Sequence, residues 1–219
     1  MKKIAIYLVP GLAAGPEIFE NLKFSKDSYE IHHLQWKTPI AIDETISEYA
    51  LRMCEDVKAK KPVLVGVSFG GIMVQEMDKY LDAKKVIIIS SVKHHNELPK
   101  RFQMMKLTKA YKLFPAKIVA NIEEYEKYFF GKSLRKRVHV YKKYLSVRNP
   151  LYLNWSINAM VQWEQKEDNK NRVHIHGTKD QVFPIKNIEN CIKVQGGSHV
   201  MIITKAKKLS KIIEGILTS

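Results

Sequence analysis

Pro62-Val63-Leu64-Val65-Gly66-Val67-Ser68-Phe69-Gly70-Gly71 is the stretch that decides the fold. Its first half is a short apolar run, rich in β-branched residues, with the length of a buried strand. Just after Ser68 an amphipathic helical pattern begins. Between the two lies a serine with Gly66 and Gly70 two residues to either side, in the spacing G-x-S-x-G. So tight a turn from strand to helix strains the serine backbone, and the small residues let neighbouring backbone approach without a Cβ clash. The hydroxyl is therefore expected at the carboxyl end of a sheet and the positive end of a helix, a place suited to a nucleophile.

Outward from this stretch, strands and helices alternate. Lys3–Val9, Glu30–Gln35, Pro62–Val67, Lys85–Ser90, Arg172–His176 and Cys191–Val194 read as strands. Ala14–Leu22, Glu44–Lys60, Gly70–Leu81, Pro184–Asn190 and Lys205–Leu217 read as helices. Continuous apolar strands separated by helices predict an α/β, doubly wound and mostly parallel sheet of about six strands, covered on both faces. Residues 94–165 interrupt the alternation with Lys- and Tyr-rich helical patterns punctuated by Pro99, Pro115, Gly131-Lys132-Ser133 and Pro150. The expected division is a core of residues 1–93 and 166–219, with 94–165 inserted after the fourth strand as a helical cap over the carboxyl ends, where ligands bind.

The 219 residues carry a net charge of +15. Residues 1–92 are balanced, 93–148 hold 15 basic and 4 acidic side chains, and 149–219 hold 10 and 6. The basicity thus belongs mainly to the insertion. It reads first as the solubility of an exposed helical surface. A sharper reading is steering of carboxylate- or phosphate-bearing substrates, with peripheral contact to an anionic membrane as another. No nucleic-acid module is present and the aromatics form no stacking platform, so no nucleic-acid partner is expected. No apolar run approaches the roughly 18 residues of a membrane span. Met1–Pro10 has an apolar core too short for a signal peptide and reads as the first strand. Cys54 and Cys191 lack metal or redox neighbours and fit packing roles in a cytoplasmic protein. No cluster has metal-ligand spacing, and no metal or cofactor is expected. Oligomeric state is not encoded legibly.

A serine hydroxyl needs a base within hydrogen-bond reach, itself oriented by a third group. His176-Gly177-Thr178-Lys179-Asp180 places Asp180 in the loop after one strand, and Gly196-Gly197-Ser198-His199 places His199 after the next. Adjacent parallel strands would bring the two loops together, with the imidazole facing Ser68. Asp180 also suits a turn or helix cap, and Ser198 reads as structural. His94 and His95 read as a solvated pair, with a place at the pocket as the alternative. Tyr111, Tyr125, Tyr128, Tyr141, Tyr144, Tyr152, Trp155 and Trp163 read as packing residues of the cap, some of them walling a pocket.

With Gly66-Val67-Ser68-Phe69-Gly70-Gly71, His176–Asp180 and Gly197-Ser198-His199 in this order, the chain resembles the α/β-hydrolases, over roughly residues 3–93 and 166–219. The likeness departs at the start, where the chain begins at the family's third strand. It implies Ser68 as nucleophile, His199 as base, Asp180 as acid, and an oxyanion hole from the backbone N–H groups of Phe69 and Leu12. Many relatives carry His-Gly where this chain has Pro10-Gly11, a change that backbone donors survive. The implied activity is hydrolysis of a small-to-medium carboxylic ester or thioester through an acyl-enzyme. Carbon–carbon bond hydrolysis or lyase chemistry on the same triad, and a non-catalytic ligand-binding module, are the alternatives. Ser at position 68 disfavours the aspartate-nucleophile branches.

Overall fold

Strands that are apolar at every position must be covered on both faces, and that requirement organises the molecule. The computed structural model describes residues 3–109, 143–165 and 169–218. Its strands are β1 (Ile4–Val9), β2 (Tyr29–His33), β3 (Val63–Val67), β4 (Lys85–Ile89), β5 (Arg172–Gly177) and β6 (Ile192–Val194). Its helices are α1 (Ile46–Cys54), α2 (Phe69–Asp78), α3 (Lys100–Thr108), α4 (Pro150–Gln162), α5 (Met201–Thr204) and α6 (Ala206–Thr218). The six strands form one sheet in the order β2-β1-β3-β4-β5-β6, every pair parallel.

Alternation along each strand divides the core into two layers. Ile6, Leu8, Val63, Val65, Ile87 and Ile89 pack on one face, with Phe19 and the apolar sides of α5 and α6. Tyr7, Val9, Leu64, Val86 and Ile88 pack on the other, with α1, α2 and α4. The chain runs from β1 out to β2 and returns on β1's far side as β3. Loops leaving β1 and β3 diverge at such a reversal and open a crevice beyond the carboxyl ends.

Four helices are shorter than the sequence predicts; α2 ends at Asp78 rather than Leu81, and the other three fall further short. α1 starts under a reciprocal cap, with Thr45 Oγ1 accepting from the Glu48 N–H and Glu48 accepting from the Thr45 N–H. It stops at Cys54 because the Lys58 and Ala59 N–H groups donate to the Tyr7 hydroxyl at 3.1 and 3.2 Å instead of extending the helix. The segments 14–22 and 184–190 form only the 3-10 turns Pro16–Phe19 and Ile185–Asn187, being too short to offset helix nucleation. In the opposite sense, α5 occupies residues read as connecting chain.

Within the expected insertion, the described residues hold α3, α4 and the 3-10 turn His95–Glu97. Tyr111, Tyr125, Tyr128, Tyr141, Pro115 and the Gly131-Lys132-Ser133 break lie outside the described residues. α4 joins the core directly. Trp155 is fully buried, stacks on Tyr49 with ring centroids 4.1 Å apart, and donates from Nε1 to the Glu44 carbonyl at 2.8 Å. Among the described residues no helix is long and apolar enough to cross a membrane.

Trp155→Ala should cost about 3–5 kcal/mol, the loss expected for a buried tryptophan, and lower Tm by about 10 °C in a chain of this size. Leu107→Ala, at a side chain 82% exposed, should stay within about 0.5 kcal/mol. Thermal unfolding of both variants by circular dichroism checks the contrast.

Candidate active site

The turn between β3 and α2 is built around one strained residue. Ser68 has φ 55° and ψ −118°, in the left-handed half of backbone space that side chains avoid. Its N–H donates to the Ile89 carbonyl at 2.9 Å, and its carbonyl accepts from the Ser91 hydroxyl at 2.7 Å and the Gly71 N–H at 2.9 Å. A Cβ on Gly66 would collide with the Gly70 carbonyl, and one on Gly70 with the carbonyls of Val9 and Pro10. Both glycines are there because backbone passes against backbone.

Asp180 and His199 come from the loops after β5 and β6 and meet at Ser68. His199 Nε2 lies 3.0 Å from Ser68 Oγ, and His199 Nδ1 lies 2.9 Å from Asp180 Oδ2. The second carboxylate oxygen accepts from the Val182 and Phe183 N–H groups at 2.8 and 2.9 Å. The carboxylate acceptor fixes the proton of a neutral His199 on Nδ1, leaving Nε2 to accept from the serine hydroxyl. The Asp180 side chain is wholly buried, whereas that of His199 is 22% exposed. Burial pushes the Asp180 carboxyl up. The hydrogen bond and charge of His199, the Phe183 N–H and His176 together outweigh it and hold the group below the ordinary aspartate value.

Behind Asp180 lie two further buried imidazoles. His176 Nε2 is 2.9 Å from the Phe183 carbonyl, and His176 Nδ1 is 3.0 Å from His174 Nε2. Burial lowers the pKa of both, most strongly for His174, which also faces His176, Lys93 and Arg172.

Phe69 directly follows the serine, and Leu12 lines the same cavity. Phe69 opens α2, so its N–H has no carbonyl one turn back within the helix. The Gly11 carbonyl accepts from Trp36 Nε1 at 3.0 Å and from the Ala14 N–H at 3.0 Å. Because a trans peptide points its N–H opposite its carbonyl, these bonds also fix the direction of the Leu12 N–H. A cavity of about 670 Å³ opens over Ser68 and His199, walled largely by apolar groups such as Leu12, Ile18, Phe102, Leu145, Met160 and Phe183. Ser198 and Tyr144 also line it. Tyr152, Trp155 and Trp163 instead pack in the core. His94 and His95 are half-buried and do not line this cavity; His95 borders a separate hollow of about 210 Å³. The sequence gives no sign of a site role for Ser91, Trp36, His174 or His176, all of which grip the site through backbone carbonyls or one another. Among the described residues no group of three or more His, Cys, Asp or Glu side chains is placed to hold a metal.

No protein-family model matches the chain, and no curated protein matches its sequence. Solved structures do match. A bromoperoxidase from Bacillus anthracis superposes with a TM-score of 0.68 at 17% identity, over 100% of this chain and 93% of that one. A product complex of a mutant epoxide hydrolase from Bacillus megaterium gives 0.72 at 13%, over 100% and 94%. A thermophilic esterase from Thermogutta terrifontis gives 0.65 at 14%, over 99% and 90%. The chain has the α/β-hydrolase fold.

The buried histidines set a pH dependence of stability. His174 and His176 are held neutral in the fold, whereas unfolded they protonate around the ordinary value of 6.5. The unfolded chain then binds more protons, so their contribution is complete above that pH and is lost as pH falls toward their lower folded values. His33 adds in the same direction; Asp180 adds in a lower window, below its ordinary 3.8. The urea midpoint should hold steady from about pH 8 to 7 and fall from about 6.5 to 5. His174→Gln should flatten that limb without abolishing it.

Proposed function

We propose that this protein is a serine hydrolase that cleaves a carboxylic ester or thioester through an acyl-enzyme. The observation that carries this reading is the unbroken chain Asp180–His199–Ser68, with links of 2.9 and 3.0 Å, opening onto an apolar cavity. In the reaction, Ser68 Oγ bonds to the substrate carbonyl carbon while His199 Nε2 takes the hydroxyl proton. Buried Asp180 holds the imidazole in its reactive tautomer and stabilises the imidazolium. The Leu12 and Phe69 N–H groups receive the oxyanion, each donor contributing about 3 kcal/mol. Collapse of the tetrahedral intermediate breaks the carbonyl–heteroatom bond, and His199 passes its proton to the departing alcohol or thiol. Water, deprotonated by His199, then attacks the acyl carbon and releases the acid and Ser68.

The esterases among the similar structures support acyl chemistry. Serine at position 68 argues against a route through an aspartyl ester. The cavity wall holds no Lys, Arg, Asp or Glu among the described residues, which supports an apolar acyl group. Beside it lies a hollow of about 710 Å³ bordered by Lys205, Lys207, Lys208 and Lys211, and the two share Ile203 and Thr204 as a common wall. That adjacency supports an anionic leaving group on the substrate.

Incubation with a fluorophosphonate should add one adduct to the wild type and none to Ser68→Ala, read by intact mass. A folded wild type that takes no adduct overturns the reading. For a thioester with a phosphate-bearing leaving group, kcat/KM should fall as NaCl rises from about 50 to about 500 mM. Lys207→Glu with Lys211→Glu should lower it about tenfold at low salt and flatten that dependence. A neutral ester should respond to neither change.

A further inference from the structure

Val173 and Ile175 supply the apolar side chains expected of a central strand, yet the alternate positions of β5 carry His174 and His176, 2% and 0% exposed. Burying two imidazoles costs desolvation that aliphatic residues would avoid. Their hydrogen bonds run in one direction. The Phe183 carbonyl only accepts, so the proton of His176 sits on Nε2, and Nδ1 must accept from His174 Nε2–H. The relay ends on Phe183.

Phe183 is held at three points that matter to the site. Its N–H donates to Asp180 Oδ1 at 2.9 Å, its carbonyl is taken by His176 at 2.9 Å, and its ring meets the edge of His199 at 5.5 Å and 72°. A shift of this one residue moves the acid and the base together. The segment from Thr178 to Pro184 that carries it has no strand or helix of its own. Its first half is tied to the β6 loop by Thr178 and Lys179. At its second half, Arg101 reaches the Val182 carbonyl from the protein surface at 2.6 Å, and His176 reaches Phe183 from the core. His176 Nε2 stands 3.6 Å from Asp180 Oδ2, beyond a good hydrogen bond, so the hydrogen bond by which it holds the acid's loop is the one to Phe183.

We infer that His176, its proton placed by the Phe183 carbonyl and its ring steadied by the bond from His174, is a positioning residue that fixes Phe183 and through it the Asp180–His199 pair. The inference rests on the hydrolase reading only for its effect on rate, not for its effect on the pair.

The test compares His176→Phe, His176→Gln and His174→Leu with wild type, after urea unfolding has shown which variants fold. His176→Phe fills the space without a donor. His176→Gln restores a donor for the Phe183 carbonyl and an acceptor for His174. Two readouts are taken: the low-field proton resonance of His199 Nδ1–H in its bond to Asp180, and the fluorophosphonate labelling rate of Ser68. In His176→Phe the resonance should disappear and labelling slow about tenfold to a hundredfold, the scale of a small displacement of reacting groups. In His176→Gln the resonance should return and the rate recover to within about threefold of wild type. A folded His176→Phe with both readouts unchanged overturns the inference, and so does a glutamine variant no better than phenylalanine. Where His176→Phe does not fold, His174→Leu decides, by a weakened resonance or by an unchanged one that overturns the inference. Where the wild type itself takes no adduct, the hydrolase reading fails and the resonance alone decides the positioning role.

Discussion

Everything at the candidate site hangs on the approach of backbone to backbone around Ser68. The serine is held at positive φ by an N–H bond to β4 and by the Ser91 hydroxyl on its carbonyl. That conformation costs about 1–3 kcal/mol. It persists because the sheet on one side and α2 on the other leave the chain no room to relax. Gly66 and Gly70 are part of the same constraint, since any side chain at either position would separate β3 from α2 or α2 from the loop after β1. The strain aims the hydroxyl into the crevice created where the strand order reverses between β1 and β3. The geometry of Ser68 and the sheet topology are thus one constraint seen at two scales.

The polar chain leading away from Ser68 is graded in burial. Ser68 and His199 face the cavity, Asp180 lies wholly beneath them, and His176 and His174 are sealed in the core. This gradient has a physical logic. A carboxylate out of water must have its lone pairs satisfied, and Asp180 has three donors for its two oxygens, two of them backbone N–H groups. Those donors in turn need a fixed backbone, which the loop after β5 does not supply by itself. Neutral imidazoles suit the support beneath it, because they hydrogen-bond without placing another charge against the carboxylate.

The parts legible in sequence were those whose cause is local. The apolar runs of β3 and β4 and the glycines around Ser68 announce a parallel sheet and a tight turn from neighbouring residues alone. Asp180 and His199 could be read as site candidates because each follows a strand and a glycine, in the order Ser, Asp, His. What stayed hidden has a distant cause. α1 ends where it does because Tyr7, far earlier in the chain, captures two N–H groups. Ser91, Trp36 and His176 act on carbonyls of Ser68, Gly11 and Phe183. A carbonyl belongs to every residue and leaves no mark in the sequence, so the partner of such a side chain is invisible until the fold brings them together. His176 opens the His-Gly-Thr-Lys-Asp motif, yet nothing in the motif tells which carbonyl it serves.

The distribution of charge follows from the same reasoning. A chain of net charge +15 keeps Lys and Arg out of the described wall of the Ser68 cavity. A lysine there, about 4 Å from His199, would oppose an imidazolium by about 4 kcal/mol at an effective dielectric of about 20. The same charge beyond Ile203 and Thr204, in water, is screened over about 8–10 Å. It still attracts an anion before contact is made. In the proposed reaction, a cavity without formal charges beside a hollow rimmed with lysines therefore separates recognition of an anionic group from the proton transfers at Ser68. Neither function then compromises the other.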